Sequence, residues 1–198
     1  MGRRSVVPAF ILMLALYSPS AHAAAITINS QAVAPNSLFP VEILVSNAAD
    51  LYAFSLDLSF DPAVVALRSV LEGSVFLGGD PTLPCSLGDP FFACPVDDPA
   101  RPSLVSIGNT FLGNAGVDVG QVPGVLAVIM FEAVGVGNAG FQLPLVFLSD
   151  SQFASIDVGE LNVGQVAVVP EPSTLALLSI GLAALARKRL RRKPHTTA

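Results

Sequence analysis

Apolar and polar positions alternate along most of the chain, and the period is two. Phe54, Leu56, Leu58 and Phe60 fall on one side of an extended chain, with Ser55, Asp57, Ser59 and Asp61 on the other. That is the pattern of a half-buried strand. Val41, Ile43 and Val45 alternate in the same way with Glu42, Leu44 and Ser46. Residues 124–134 (GVLAVIMFEAV) are apolar on both faces and predict a central strand. Further strands are expected at residues 25–33, 64–70, 103–111, 141–148 and 163–169. Asp-Pro pairs beginning at Asp61, Asp80, Asp89 and Asp98, and the glycines of residues 113–124, punctuate them as turns. No stretch between the two termini keeps a helical stripe for three turns. Eight or nine short strands with this punctuation predict an all-β sandwich.

Both ends of the chain break the pattern. Arg3 and Arg4 precede an apolar stretch over residues 6–16, and Ala21-His22-Ala23 supplies the small residues of a cleavage site. Residues 1–23 are therefore expected to be a secretory signal peptide, leaving Ala24 as the mature start. A retained anchor is the alternative, but the apolar run is short and Ser18-Pro19-Ser20 follows it. At the other end, Pro170, Glu171 and Pro172 lead into an apolar run over residues 175–186 and then a basic cluster: Arg187, Lys188, Arg189, Arg191, Arg192 and Lys193. Proline fixes φ and disfavours helix at the residue before it, so a helix can begin only after Pro172. Ser173 or Thr174 is available as its N-cap. This run of 12 residues rises roughly 18 Å as helix, short of the ~30 Å hydrocarbon core. Snorkelling Arg and Lys stems make up part of the deficit. The basic end stays cytoplasmic by the positive-inside bias.

Residues 169–193 closely resemble the PEP-CTERM sorting signal of Gram-negative bacteria that make exopolysaccharide. All three parts are present: Pro170-Glu171-Pro172, the apolar transmembrane stretch with its internal Gly181, and the basic stop. The resemblance implies that an exosortase, an integral-membrane cysteine protease, reads residues 170–198 and removes the tail during export. An ordinary C-terminal membrane anchor that happens to carry Pro-Glu-Pro is the alternative.

Setting the two ends aside changes the charge. Residues 24–169 hold 14 acidic side chains against two basic ones, Arg68 and Arg101, a net charge of −12. The formal −5 of the whole chain conceals this, because the other bases lie in the terminal segments. So acidic a domain repels nucleic acid and anionic lipid while favouring basic partners. At 146 residues it is one domain with room for a single core.

Composition also excludes chemistries. Residues 24–169 contain no His and no Lys, which removes Ser-His triads, histidine metal sites and Lys nucleophiles together. Paired carboxylates for glycoside hydrolysis remain arithmetically available, but the acids are mostly Asp in turns or on solvent faces. Gly135-Val-Gly-Asn-Ala-Gly140 matches a phosphate-cradling glycine motif. The strand-like, proline-containing sequence after it supplies no helix N-terminus, so a hairpin turn is expected instead. Asp97 and Asp98, near Asp89, could ligate calcium, but they lack the alternating oxygen ladder of an EF-hand. No metal, cofactor or catalytic residue is expected.

Cys85 and Cys94 fall in the exported part, where thiols oxidise. With turns at Gly88 and Pro90 between them, they are expected to close a disulfide loop worth about 2.5–3 kcal/mol in the chain-entropy account. The alternative, a metal pair, lacks partners. Phe91 and Phe92 on that loop form the one candidate aromatic patch, since the domain has no Trp and a single Tyr, Tyr52. Sugar platforms usually need Trp or Tyr faces. The competing reading has the two rings covering an open edge of the sandwich.

A second resemblance covers about residues 26–168. A small turn at Ser37 precedes the alternating Pro40-Val-Glu-Ile-Leu-Val45, and Leu51-Tyr-Ala-Phe-Ser-Leu-Asp-Leu-Ser-Phe-Asp-Pro62 follows. With Val64, Val65, Leu67 and Gly73, these resemble the first strands of a cohesin domain. Residues 124–131 and Gly140 are similar to its later half. The chain departs from the pattern at residues 84–95 and in the glycine-rich stretch 113–124. The resemblance implies a nine-stranded jelly-roll sandwich that binds other proteins and is not an enzyme. The expected function is that of an exported, non-catalytic surface or extracellular-matrix protein. Its sandwich would serve binding or adhesion beside exopolysaccharide or a biofilm, with an extracellular protein or polysaccharide as partner. It would touch the inner membrane only transiently, through its tail. A carbohydrate-binding module and a secreted hydrolase are the alternatives.

Overall fold

The computed structural model describes residues 23–76 and 91–170, together with Leu182. Thirteen strands and no helix segment occupy residues 23–76 and 91–170, forming an all-β sandwich. One face is a five-stranded sheet in the order β12 (Val158–Val163), β1 (Ala24–Ile28), β3 (Leu38–Ser46), β9 (Gly124–Ala133), β5 (Val65–Glu72). The other runs β11 (Gln142–Asp150), β4 (Ala48–Ser59), β7 (Leu104–Thr110), β6 (Phe91–Pro95), with β8 (Val117–Val119) paired to one end of β4. A small third sheet joins β10 (Gly137–Gly140), β13 (Gln165–Val168) and β2 (Gln31–Val33).

The period-two reading carries directly into the core. Phe54, Leu56 and Leu58 of β4 and Val41, Ile43 and Val45 of β3 are buried, and their polar alternates face outward. Strand β9 lies between β3 and β5, as its doubly apolar sequence predicts. Leu126, Ile129 and Phe131 enter the core. Val128 and Met130 stay half-buried on the outer face, beside Leu71 and Pro40 in the register. Phe131 sits at the centre of an aromatic cluster, with ring centroids 4.9 Å from Phe60, 5.6 Å from Phe141 and 6.1 Å from Phe39. Edge-to-face and offset contacts of this kind add to the area buried.

Thirteen strands replace the eight or nine expected, and four of the additions lie where the sequence reads as turn or loop. β6 falls in the cysteine-bearing stretch and β8 in the glycine-rich one. β12 is half-exposed or exposed throughout and so shows no alternation. β10 occupies the last four residues of the glycine motif, where a hairpin turn is expected, and Asn138 and Ala139 pair there with Ala167 and Val166. Residues 25–33, expected as one strand, are two, interrupted at Asn29 and Ser30. The signal peptide (1–23, all but Ala23), Cys85 and most of the tail lie outside the described residues; Leu182, in the expected membrane-spanning stretch, is helical. No helix among the described residues is long and apolar enough to cross a membrane.

Candidate binding face

The outer face of the sheet β11-β4-β7-β6 is built row by row from strand register. In one row Phe147, Ser55, Gly108 and Phe92 lie side by side across the four strands. In the next, Leu145, Asp57, Ser106 and Cys94 do so. Two apolar margins therefore flank a trough of small polar side chains. On the β11 margin Leu145 and Phe147 are 48% and 45% exposed. On the β6 margin the Phe92 ring lies over Gly108, where an added Cβ would stand 2.5 Å from ring atoms. That contact buries Gly108 although it faces outward. An apolar rim around hydroxyls and a carboxylate, held on rigid strands, suits recognition of a protein surface.

Phe91 does not join this face. It is 1% exposed, packed inside the sandwich on β6, so it drops out of the proposed aromatic patch. Successive strand side chains point to opposite faces, so Phe91 and Phe92 cannot form one platform. Cys94 points outward on the same strand, half-buried, and no cysteine among the described residues is free. Asn109, inward beside Phe54 and Phe91 in the register, donates its side-chain amide to Glu72 on the opposite sheet, which satisfies a buried polar group.

One end of the face is tied by Asp50. Its carboxylate accepts hydrogen bonds from the Gly116 N–H at 2.7 Å and from the Ser151 hydroxyl at 2.6 Å, and its own N–H donates to Asp118 at 2.9 Å. The residue sits at φ 52°, a left-handed conformation that Asp tolerates better than most. A Cβ on Gly116 would stand 2.2 Å from the Asp50 carbonyl oxygen, so only glycine fits there. Phe153, 76% exposed at φ 62°, meets Tyr52 edge-on at 5.6 Å beside this network. The Ser151 hydroxyl, followed by the Gly116 N–H, holds the Asp50 carboxyl below its ordinary value of 3.8. Stability from this group is therefore present above 3.8 and lost as pH falls through the lowered folded value. We expect Asp50→Asn to flatten the loss of stability as pH falls below 3.8, read by urea unfolding. An unchanged acid limb would show that Asp50 is not its source.

Asp97 and Asp98 act as turn anchors. The Asp97 carboxylate accepts from the Ser103 hydroxyl and from the N–H groups of Ser103 and Leu104. Asp98 accepts from the Ala100 N–H at 2.9 Å. Asp89 lies outside the described residues. Among the described residues no group of three or more His, Cys, Asp or Glu side chains could hold a metal ion.

Beyond β13 the chain leaves the sandwich through exposed Val169 and Pro170. Residues 168–192 match the PEP-CTERM protein-sorting motif. The chain carries an export and surface-sorting signal. Of the PEP-CTERM residues named above, Pro170 is described; Glu171, Pro172 and the basic residues 187–193 are not. The fold is similar to that of cohesin domains. A non-cellulosomal cohesin of Archaeoglobus fulgidus superposes with a TM-score of 0.58 at 17% identity, covering 78% of this chain and 96% of that one. A type I cohesin–dockerin complex of Clostridium thermocellum gives 0.60 at 13% identity, over 75% and 100%. A type I cohesin of Pseudobacteroides cellulosolvens gives 0.59 at 15%, over 76% and 94%. No curated protein matches the chain in sequence.

Proposed function

We propose that this protein is a non-catalytic binding module, exported through the inner membrane of a Gram-negative bacterium. An exosortase cleaves it, releasing it to the cell surface or matrix, where the outer face of β11-β4-β7-β6 docks an extracellular protein. The observation that carries the reading is that face: Leu145, Phe147 and Phe92 rim a trough formed by Ser55, Asp57, Ser106 and Gly108. The absence of His and Lys from residues 24–169 removes the histidine and lysine bases and nucleophiles, which supports a non-catalytic role. A net charge of −12 favours basic partners, and docking strengthens as ionic strength falls. A Cys85–Cys94 disulfide would anchor the loop before β6, and with it the Phe92 margin. A link to exopolysaccharide or biofilm accords with the sorting signal. A carbohydrate-binding role is less favoured, because Phe91 is buried and Phe92 is left as a single ring on that margin.

The test is a pair of substitutions. Ser55→Arg places a long cation in the trough, whereas Glu42→Arg places the same side chain on the outer face of the opposite sheet, with a larger change of charge. Ser55→Arg is expected to weaken partner binding at least about 30-fold, the scale of a hot-spot loss, with Glu42→Arg close to parent. Equal losses in the two variants would exclude the face.

A further inference from the structure

The two basic side chains of residues 24–169 line the same cavity. It encloses about 420 Å³ where the Pro62–Ala63 turn, the first half of β5, the β6–β7 connection and Val134 meet. That volume lies in the range of small-ligand sites. It shares no residue with the rows of the sheet face described above.

Each arginine is placed by the fold. Arg68 sits at a β-bulge, where the pairing of β5 with β9 slips between Leu67 and Ser69. An extra residue on an edge strand re-aims its side chain. Its guanidinium is paired with Glu132 of β9. Arg101 rides on a turn pinned from both sides: Asp97 holds Ser103 and Leu104, and the Asp98 carbonyl accepts the Arg101 N–H at 3.1 Å. Next to the lining residue Val134, Gly135 packs against the Ala63 backbone, where a Cβ would stand 2.1 Å from the Ala63 carbonyl oxygen. Among the described residues, the Arg101 guanidinium has no carboxylate partner. An unpaired guanidinium on a rigid turn, in a domain with 14 acids, is set to receive an anion from outside.

The charge and the lining define that anion. With Arg68 neutralised by Glu132, Arg101 is the one free cation facing the cavity among the described residues, and the acidic domain repels polyanions. This favours one carboxylate, which matches the planar fork of arginine. Pro62, Leu67, Pro102 and Val134 supply an aliphatic wall, and none of the described lining residues carries an aromatic ring for a sugar to stack on. In the last residue of a peptide, the carboxylate and an aliphatic side chain branch from one Cα, so both reach their counterparts within one small cavity. We propose that this cavity captures a peptide C-terminus ending in an aliphatic residue. Arg101 binds the carboxylate, and the wall formed by Pro62, Leu67, Pro102 and Val134 takes the side chain.

The experiment measures anisotropy of a fluorescent hexapeptide ending in Gly-Leu, as free acid and as amide, with the full chain in mild detergent. The free acid should bind, with the amide and Arg101→Ala each weaker by about tenfold or more, the scale of a lost charge-assisted bond. Arg101→Lys should recover only part of the affinity, because it restores the charge without the fork. Circular dichroism of Arg101→Ala should overlay the parent, since the side chain is exposed. Equal binding of acid and amide, or indifference to Arg101→Ala, overturns the proposal. Tighter binding of a galacturonate tetramer than of the peptide overturns the assignment to a peptide.

Discussion

Replacing Phe131 by alanine is expected to lower the unfolding free energy by about 3–5 kcal/mol, the range for deleting a buried aromatic ring. The ring is fully buried on β9 and is shared by Phe39, Phe60 and Phe141, which arrive from β3, the end of β4 and the start of β11. Its loss opens a void touching both sheets, and the neighbours are anchored by their own strands. Collapse to fill the space is therefore limited. Phe131→Leu keeps most of the apolar volume and should cost clearly less. Urea unfolding followed by circular dichroism measures both. A cost below about 1 kcal/mol for Phe131→Ala would mean that the two sheets do not share one core.

The second large effect concerns the tail. Intact-mass analysis of the surface fraction should find a species lacking residues 1–23 and everything beyond the Pro170–Pro172 region. Changing Pro170 and Pro172 to alanine should leave export intact and hold the protein in the inner membrane, with little processed product. The expectation rests on backbone preference: alanine at both positions would remove the bar that proline sets to a helix, so that a helix expected over residues 175–186 could extend back into the segment a protease would read. A main surface species that keeps the basic residues 187–193 would refute it.

Much of the fold was legible because burial and the strand period coincide. Phe54, Leu56 and Leu58 alternate with Ser55, Asp57 and Ser59, and that alternation alone places β4 with one face in the core. The strands that the sequence does not reveal lack the contrast. β10 is Gly-Asn-Ala-Gly and has almost no side chains to show a period. β12 contributes little to the core and pairs in parallel with β1, a long-range contact with no local turn signal. β6 lies between prolines, a loop signal, and on a loop Phe91 and Phe92 would share one surface.

The binding face was less accessible still. Ser55 and Phe147 are 92 positions apart, and Gly108 and Phe92 join their row only through three pairings fixed by the whole sandwich. Arg68 and Arg101 stood out as the only bases of the domain, yet nothing local brings them to one cavity.

Site-specific photo-crosslinking on cells exporting the protein tests the binding face most directly. A benzophenone side chain at Ser55 should give one dominant protein adduct at the cell surface, and the same group at Glu42 should give none. The adduct should fade as salt rises. Equal adducts from both positions, or capture of polysaccharide alone from Ser55, would contradict a protein-docking face on β11-β4-β7-β6.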